Sequence, residues 1–520
     1  MHRFVAAACL GLAACAGPRA VPPPTSPTPS QPAQTTPAAQ QPEQTRDPLA
    51  SVPAAPAACN ALGQHQPPSP GKCGERATLL AALDRALAEE AAETRDAVLA
   101  ELQPCAELPA GVVLALRAEF APVECADVLV GDLGQVQQTE LGQPLRDALV
   151  GLGLAAKLSR LVRVPPRPEP PYTKARIDAF IKGTMANWVV GQARAIGELA
   201  LRGSRLDGYG KGIAAVEAGM ADMRFVEVFR QVPLPEEFAQ DDALRDAYYS
   251  SLDLGLEPRK TRGRDAALVG LRVLAEAGLL HDPRVDRARA LLSELYNGRR
   301  IDALDSLLLP ALPELDQTTV ERRLAARLPT FYTDLVLGPA DPNDALLLRA
   351  LLERGLPSWV RAELDQSVLR AQVWPLYARG LFELGRTYWR AADFARARGI
   401  AAAPGKPVPE AKLVSALSAT LERGPKDAAA MMLQGPAPEG VGDVSELDAL
   451  TRAQGPFAGT AAYDAALILE LVPPRSSDAK YFRDIASRYD RAALLLRNPA
   501  QKKLARERAK AARATANSMQ

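Results

Sequence analysis

The chain has 520 residues, 47% hydrophobic and 24% charged, and 62 Lys plus Arg stand against 61 Asp plus Glu for a net charge of +1. That length holds about three average domains or one long repeat array. The balanced charge argues against nucleic acid as the main partner, because phosphate binding needs a net basic footprint. Aromatic residues make up only 5%, while Ala and Leu dominate the apolar fraction, a mix that favours packed helices over sheets. The three histidines, His2, His65 and His281, are too few and too scattered for a Ser-His-Asp triad or a polyhistidine metal site. No catalytic residue, metal-ligand set or cofactor site is read from the sequence.

The first residues, "MHRFVAAACLGLAACAG", combine a basic start at Arg3, an apolar run from Phe4 to Ala14 and small residues before Cys15. This is the layout of a secretory signal peptide over residues 1–14. The stretch Leu12-Ala13-Ala14-Cys15 resembles the lipobox of bacterial lipoproteins. The resemblance implies lipidation of Cys15, cleavage before it, and a membrane anchored through lipid; Cys9 is the alternative acceptor. Ala16 after the cysteine implies sorting to the outer membrane, facing the periplasm. Residues 15–58 are rich in Pro, Ala, Thr and Gln without an apolar period, so a disordered tether is expected there. At ~3.1 Å per residue it would reach up to ~130 Å.

Export into an oxidising compartment makes disulfides the expectation for Cys59, Cys73, Cys105 and Cys125. Three pairings are open; joining neighbours gives Cys59–Cys73 and Cys105–Cys125. The cysteine spacing offers no zinc-knuckle pattern.

From Gly74 onward apolar residues recur at helical spacing. Leu79, Leu83 and Leu87 are followed by Val98 and Leu102; Ile177, Phe180, Ile181, Trp188, Ile196 and Leu199 share a face further on. The fold class expected is all-α, an array of antiparallel helix pairs that is solenoid or repeat-like. Proline-rich breaks at 164–171, 232–235, 309–313, 403–409 and 433–442 punctuate it. They divide the chain into a Cys-containing region (59–165), a central region (166–312) and a C-terminal repeat-like region (313–520). In "LFELGRTYWRAADFARA", residues Leu381, Leu384, Gly385, Tyr388 and Ala397, with Pro409 beyond, resemble the tetratricopeptide repeat. The likeness covers about a tenth of the chain, and no constant period extends it.

The stretch "EPRKTRGRDAALVGLRVL" clusters Arg259, Lys260, Arg262 and Arg264. Pro258 and Gly263 predict a corner between two helices there, with Asp265 capping the second; anion binding by the four cations is the rival reading. Two phosphate-like motifs lack the strand they require: "GYGKG" (208–212) reads as an interhelix turn, and "GLGLAA" (151–156) is discounted. Trp188, Tyr248 and Tyr249 read as core rather than as the walls of a ligand groove. The basic "KKLARERAKAAR" (502–513) reads as a solvated face at a dipole-favourable helix end, with anionic lipid or cell-wall polymer as the alternative.

The function these features imply is that of a non-enzymatic scaffold, lipid-anchored in the cell envelope and binding other envelope proteins. Two other classes are weighed. Lytic transglycosylases include tethered helical superhelices, but their catalytic Glu is typically followed by Ser, a dipeptide this chain lacks. A periplasmic small-ligand binder would need a concave apolar pocket.

Overall fold

A computed structural model describes residues 47–63, 74–105, 107–131, 141–296, 304–338, 341, 343–361, 370, 373–402, 408–423, 442–471, 473 and 477–520. The expected lipidation site Cys15, the signal peptide, most of the tether, Cys73, His2 and His65 lie outside these. Among the described residues the fold is all-α, and no strand forms beyond one antiparallel bridge between Leu279 and Gly355.

The helices used below are α1 (Arg76–Ala88), α2 (Ala92–Leu102), α3 (Ala110–Phe120), α4 (Gln143–Arg160), α5 (Lys174–Phe180), α6 (Ala186–Ser204), α7 (Gly208–Arg230), α8 (Asp242–Glu276) and α9 (Pro283–Tyr296). They continue as α10 (Val320–Arg327), α11 (Thr330–Val336), α12 (Ala345–Leu351), α13 (Trp374–Tyr388), α14 (Ala391–Ala401) and α15 (Pro409–Glu422). The last four are α16 (Ser445–Arg452), α17 (Ala458–Leu471), α18 (Ala479–Leu495) and α19 (Pro499–Ser518).

From α13 to α19 each helix packs on its neighbour in the chain, the arrangement of a helical array. Around α7 the packing is less local, with α4 and α8 its main neighbours. Glycines and alanine set that contact. A Cβ on Gly219 would lie 2.5 Å from the Gly263 carbonyl oxygen and 2.5 Å from the Ala267 nitrogen, and one on Gly270 would lie 2.6 Å from the Val216 nitrogen. Gly212, Val216 and Gly219 on α7 and Gly263, Ala267 and Gly270 on α8 repeat at i, i+4, i+7, so each set forms one face. The backbones can approach this closely only where side chains are nearly absent.

The prolines at 164–171 and 309–313 do lie in non-helical chain, yet the regions on either side share one continuous apolar cluster running from Leu79 to Ala512. α10 packs on α1, and α11 packs on α3, across more than 200 residues of sequence.

The cation cluster does not form a corner: α8 runs unbroken from Asp242 to Glu276 through Pro258. Pro258 and Leu254, whose carbonyl loses its i+4 partner to the proline, both lie on the solvent side. Water can therefore satisfy what the helix cannot. The helix is capped not by Asp265 but by Asp241, whose carboxylate accepts from the amides of Ala243 (2.9 Å) and Leu244 (3.1 Å).

The tether also ends earlier than its composition indicates. Residues 47–58 dock on the helical body, with Leu49 and Val52 packed against the main core. An extended Pro/Ala-rich segment has carbonyls without internal partners. Here Gln192 donates to the Ser51 carbonyl (2.9 Å) and Arg160 donates to the Pro53 carbonyl (2.9 Å).

Candidate functional site

Arg160 organises the point where the N-terminal segment joins the body. It ends α4, and its guanidinium forks onto Asp127 at 2.8 and 2.7 Å while also donating to the Glu124 carbonyl at 2.6 Å. With its Nε on Pro53, one side chain thus gathers residues 53 and 124–127. Cys125 lies in that gathered turn, and it is disulfide-bonded to Cys59 with the Cα atoms 5.1 Å apart. The neighbour pairing is therefore not the one adopted. Cys105 is disulfide-bonded as well. Both cysteines of the Cys59–Cys125 bond are buried.

Each of the four cations of 259–264 has a partner within the chain. Arg262 forks onto Asp222, with Nε and Nη2 each 2.6 Å from a carboxylate oxygen. Arg259 adds a contact at 3.6 Å to the same carboxylate and lies 4.5 Å from the Phe225 ring centre. Lys260 sits 4.4 Å from the ring centre of Tyr296 and 3.6 Å from Glu257, and Arg264 pairs with Asp265 at 2.7 Å.

The two discounted phosphate-like motifs meet each other. Gly151 of "GLGLAA" lies in α4, where a Cβ would fall 2.5 Å from Gly210, inside "GYGKG". The latter is not an interhelix turn but the first turn of α7, with Tyr209, Gly210 and Gly212 buried. Both motifs are packing surfaces. Trp188 packs edge-on to Phe225 at 5.9 Å, whereas Tyr248 contacts Phe238 and Tyr249, so these aromatics do not converge on one groove.

Sequence reasoning missed the buried ionic clusters. Glu119 on α3 accepts from Arg284 on α9 (2.7 Å) and from the Tyr332 hydroxyl on α11 (3.2 Å), and Arg284 also reaches Asp282 and the Tyr209 hydroxyl, each at 3.3 Å. Burial, reinforced by the Glu119 charge, pushes the Tyr209 and Tyr332 hydroxyls up, so both stay protonated donors. On α7, burial raises the Glu217 carboxyl, but Arg287 (2.9 Å) and Arg224 (3.5 Å) occupy its two oxygens. Arg224 in turn donates to the carbonyls of Leu158, Ser159 and Leu161 at 3.3, 3.2 and 2.8 Å, satisfying the end of α4. A signal existed: Glu217, Asp222, Arg224 and Glu227 interrupt an otherwise apolar run from Ile213 to Phe229. The partners that Glu217 and Asp222 find on other helices, Arg287 and Arg262, lie 70 and 40 residues away and could not be read from spacing.

Two open clefts mark the C-terminal region. An apolar groove of about 390 Å³ runs between Pro310–Pro313 and the side chains of Pro375, Leu376 and Val414. A polar cleft of about 350 Å³ lies among α16, α17 and α18, where Arg452, Arg488 and Arg491 face Asp448 and Asp484. Arg488 is held by Asp448.

Among the described residues no group of three His, Cys, Asp or Glu side chains could hold a metal ion, and no helix is long and apolar enough to cross a membrane. No family model, curated protein or solved structure matches the chain.

Proposed function

We propose that the protein is a lipid-tethered scaffold of the cell envelope, anchored through Cys15 and presenting the helical body to envelope proteins. The observation that carries this reading is the junction at residues 47–59. A tether transmits load to the body where the chain first becomes fixed. Here that point combines two carbonyl clamps, from Gln192 and Arg160, with a covalent Cys59–Cys125 staple. In the chain-entropy treatment a staple spanning 66 residues stabilises by about 4 kcal/mol. Such a bond also suits the oxidising side of a membrane.

An enzymatic reading asks for a carboxyl raised by burial and open to substrate. Glu217 has the first property, but its two oxygens accept from arginines.

Cys15→Ala tests the anchor. The variant should lose acyl labelling and move from the membrane to the soluble fraction. A variant that still labels with palmitate and sediments with membranes would overturn Cys15 as the attachment point.

A further inference from the structure

The basic run at 502–513 lies in α19, which carries six cations, Lys502, Lys503, Arg506, Arg508, Lys510 and Arg513, against one acid, Glu507. These cations do not serve the helix dipole. The helix begins at Pro499, so Lys502 and Lys503 sit near its positive end, and its last turn holds no basic residue. The expectation of a dipole-favourable end is thus overturned, and another cause for the charge is needed.

Geometry narrows that cause to one flank of the α18–α19 hairpin. Arg513 pairs with Asp490 across the hairpin, which sets the two faces edge to edge. On α19, Lys510, Arg506 and Lys502 lie three, seven and eleven residues before Arg513 and so extend its face as a stripe. No acidic partner is found for these three among the described residues. On α18, Leu494 lies one turn beyond Asp490 on the same flank and is 80% exposed. An unpaired cation stripe with an apolar side chain beside it is the pattern of a membrane-surface contact.

We infer that this flank, Leu494 with Lys502, Arg506 and Lys510, docks on a bilayer surface carrying anionic phospholipid. The cations meet headgroup phosphates while Leu494 enters the acyl boundary. An anionic polymer would satisfy the charges but offers nothing to the leucine, which is why lipid is the occupant chosen. Docking of this kind does not depend on the tether, and it would lay the C-terminal hairpin against the membrane whichever residue carries the anchor.

The test uses full-length protein carrying Cys15→Ala and co-sedimentation with vesicles. Binding to phosphatidylcholine–phosphatidylglycerol vesicles is expected, weakening with added salt and absent on pure phosphatidylcholine. Combined Lys502→Glu, Arg506→Glu and Lys510→Glu should lower affinity by roughly 30-fold or more, and Leu494→Ser by roughly fivefold. Should the Glu variant misfold by circular dichroism, Gln at the same three positions removes the charges without adding repulsion and keeps the comparison. Failure of the parent to bind, equal binding to neutral vesicles, or unchanged binding by the charge variant would overturn the inference. So would an unchanged Leu494→Ser affinity together with equally tight binding of soluble polyphosphate, which would point to a polymer instead.

Discussion

Arg262 is about half exposed, yet its fork closes on a carboxylate, Asp222, that is almost wholly buried. Its worth is therefore set by what it leaves behind. Arg262→Gln strips Asp222 of its two short bonds, leaving the Arg259 contact at 3.6 Å among the described residues. Urea unfolding should show a loss of about 1.5–3 kcal/mol, the range for hydrogen bonds to charged groups. Lys260→Gln, which loses a ring contact and an exposed pair with Glu257, should stay within about 0.5 kcal/mol. Equal effects would mean that Asp222 is not the reason Arg262 is there. From sequence the two residues look alike, since both belong to one cation cluster. What separates them is a carboxylate 40 positions away, on a different helix.

Asp464 shows the opposite case, a buried carboxyl with little support. Its Oδ1 accepts from the Leu308 amide at 2.8 Å, while Oδ2 is buried without a hydrogen-bond partner among the described residues. Burial holds this carboxyl well above its ordinary value of 3.8. The folded state thus keeps a proton that the unfolded chain gives up near that value, so this residue's contribution to stability falls as pH rises above it. Asp464→Asn keeps an acceptor for Leu308 and cannot ionise. Its melting temperature relative to the native chain should therefore rise as the pH is raised above about 4. A difference that does not change with pH would show that Asp464 does not titrate with folding.

At the scale of elements, the close approach of α7 and α8 depends on missing side chains. Gly219→Ala would place a Cβ 2.5 Å from backbone atoms of Gly263 and Ala267, which cannot swing away as a side-chain tip can. Thermal unfolding should register a loss of about 1–3 kcal/mol or more, as for overpacked cores. Gly197→Ala is the control: it lies on the exposed face of α6 with nothing within 4 Å, and should stabilise by roughly 0.5–1 kcal/mol through helix propensity alone. The existence of these helices was legible from the recurrence of Leu, Ile and Val, because helical periodicity is local. Their continuity was not. Pro258, Gly263 and Asp265 form a plausible turn when read alone, but Gly263 is a packing contact and Pro258 is tolerated because its strained side faces water. Similarly, "GLGLAA" and "GYGKG" carry glycine for contact with each other, a reason that exists only once both helices are placed.

At the scale of the whole molecule, Glu119, Arg284 and Tyr332 draw one residue from each of the three regions between the proline breaks into a single buried cluster. Composition places the proline-rich stretches at 164–171, 232–235 and 309–313 outside helices, as found, but it says nothing of what packs across them; most of 403–409 and of 433–442 lies outside the described residues. The same limit applies to the N-terminal segment. Residues 47–58 have a tether's composition, and their docking rests on two polar side chains, Arg160 and Gln192, that hydropathy does not flag. The disulfide shows it again, since four cysteines allow three pairings and only the gathering of Pro53 and Asp127 around Arg160 selects Cys59–Cys125.

A tethered scaffold requires both ends of this junction to be real in one mature molecule: lipid on Cys15 and the Cys59–Cys125 staple at the body. Mass spectrometry of protein purified without reductant from native membranes reads both at once. The expected result is a mature chain beginning at a diacylglyceryl-modified Cys15, together with a cross-linked peptide joining Cys59 to Cys125. An unmodified N-terminus at another residue, or Cys59 recovered in a bond to Cys73, would contradict the tethered, stapled body proposed here.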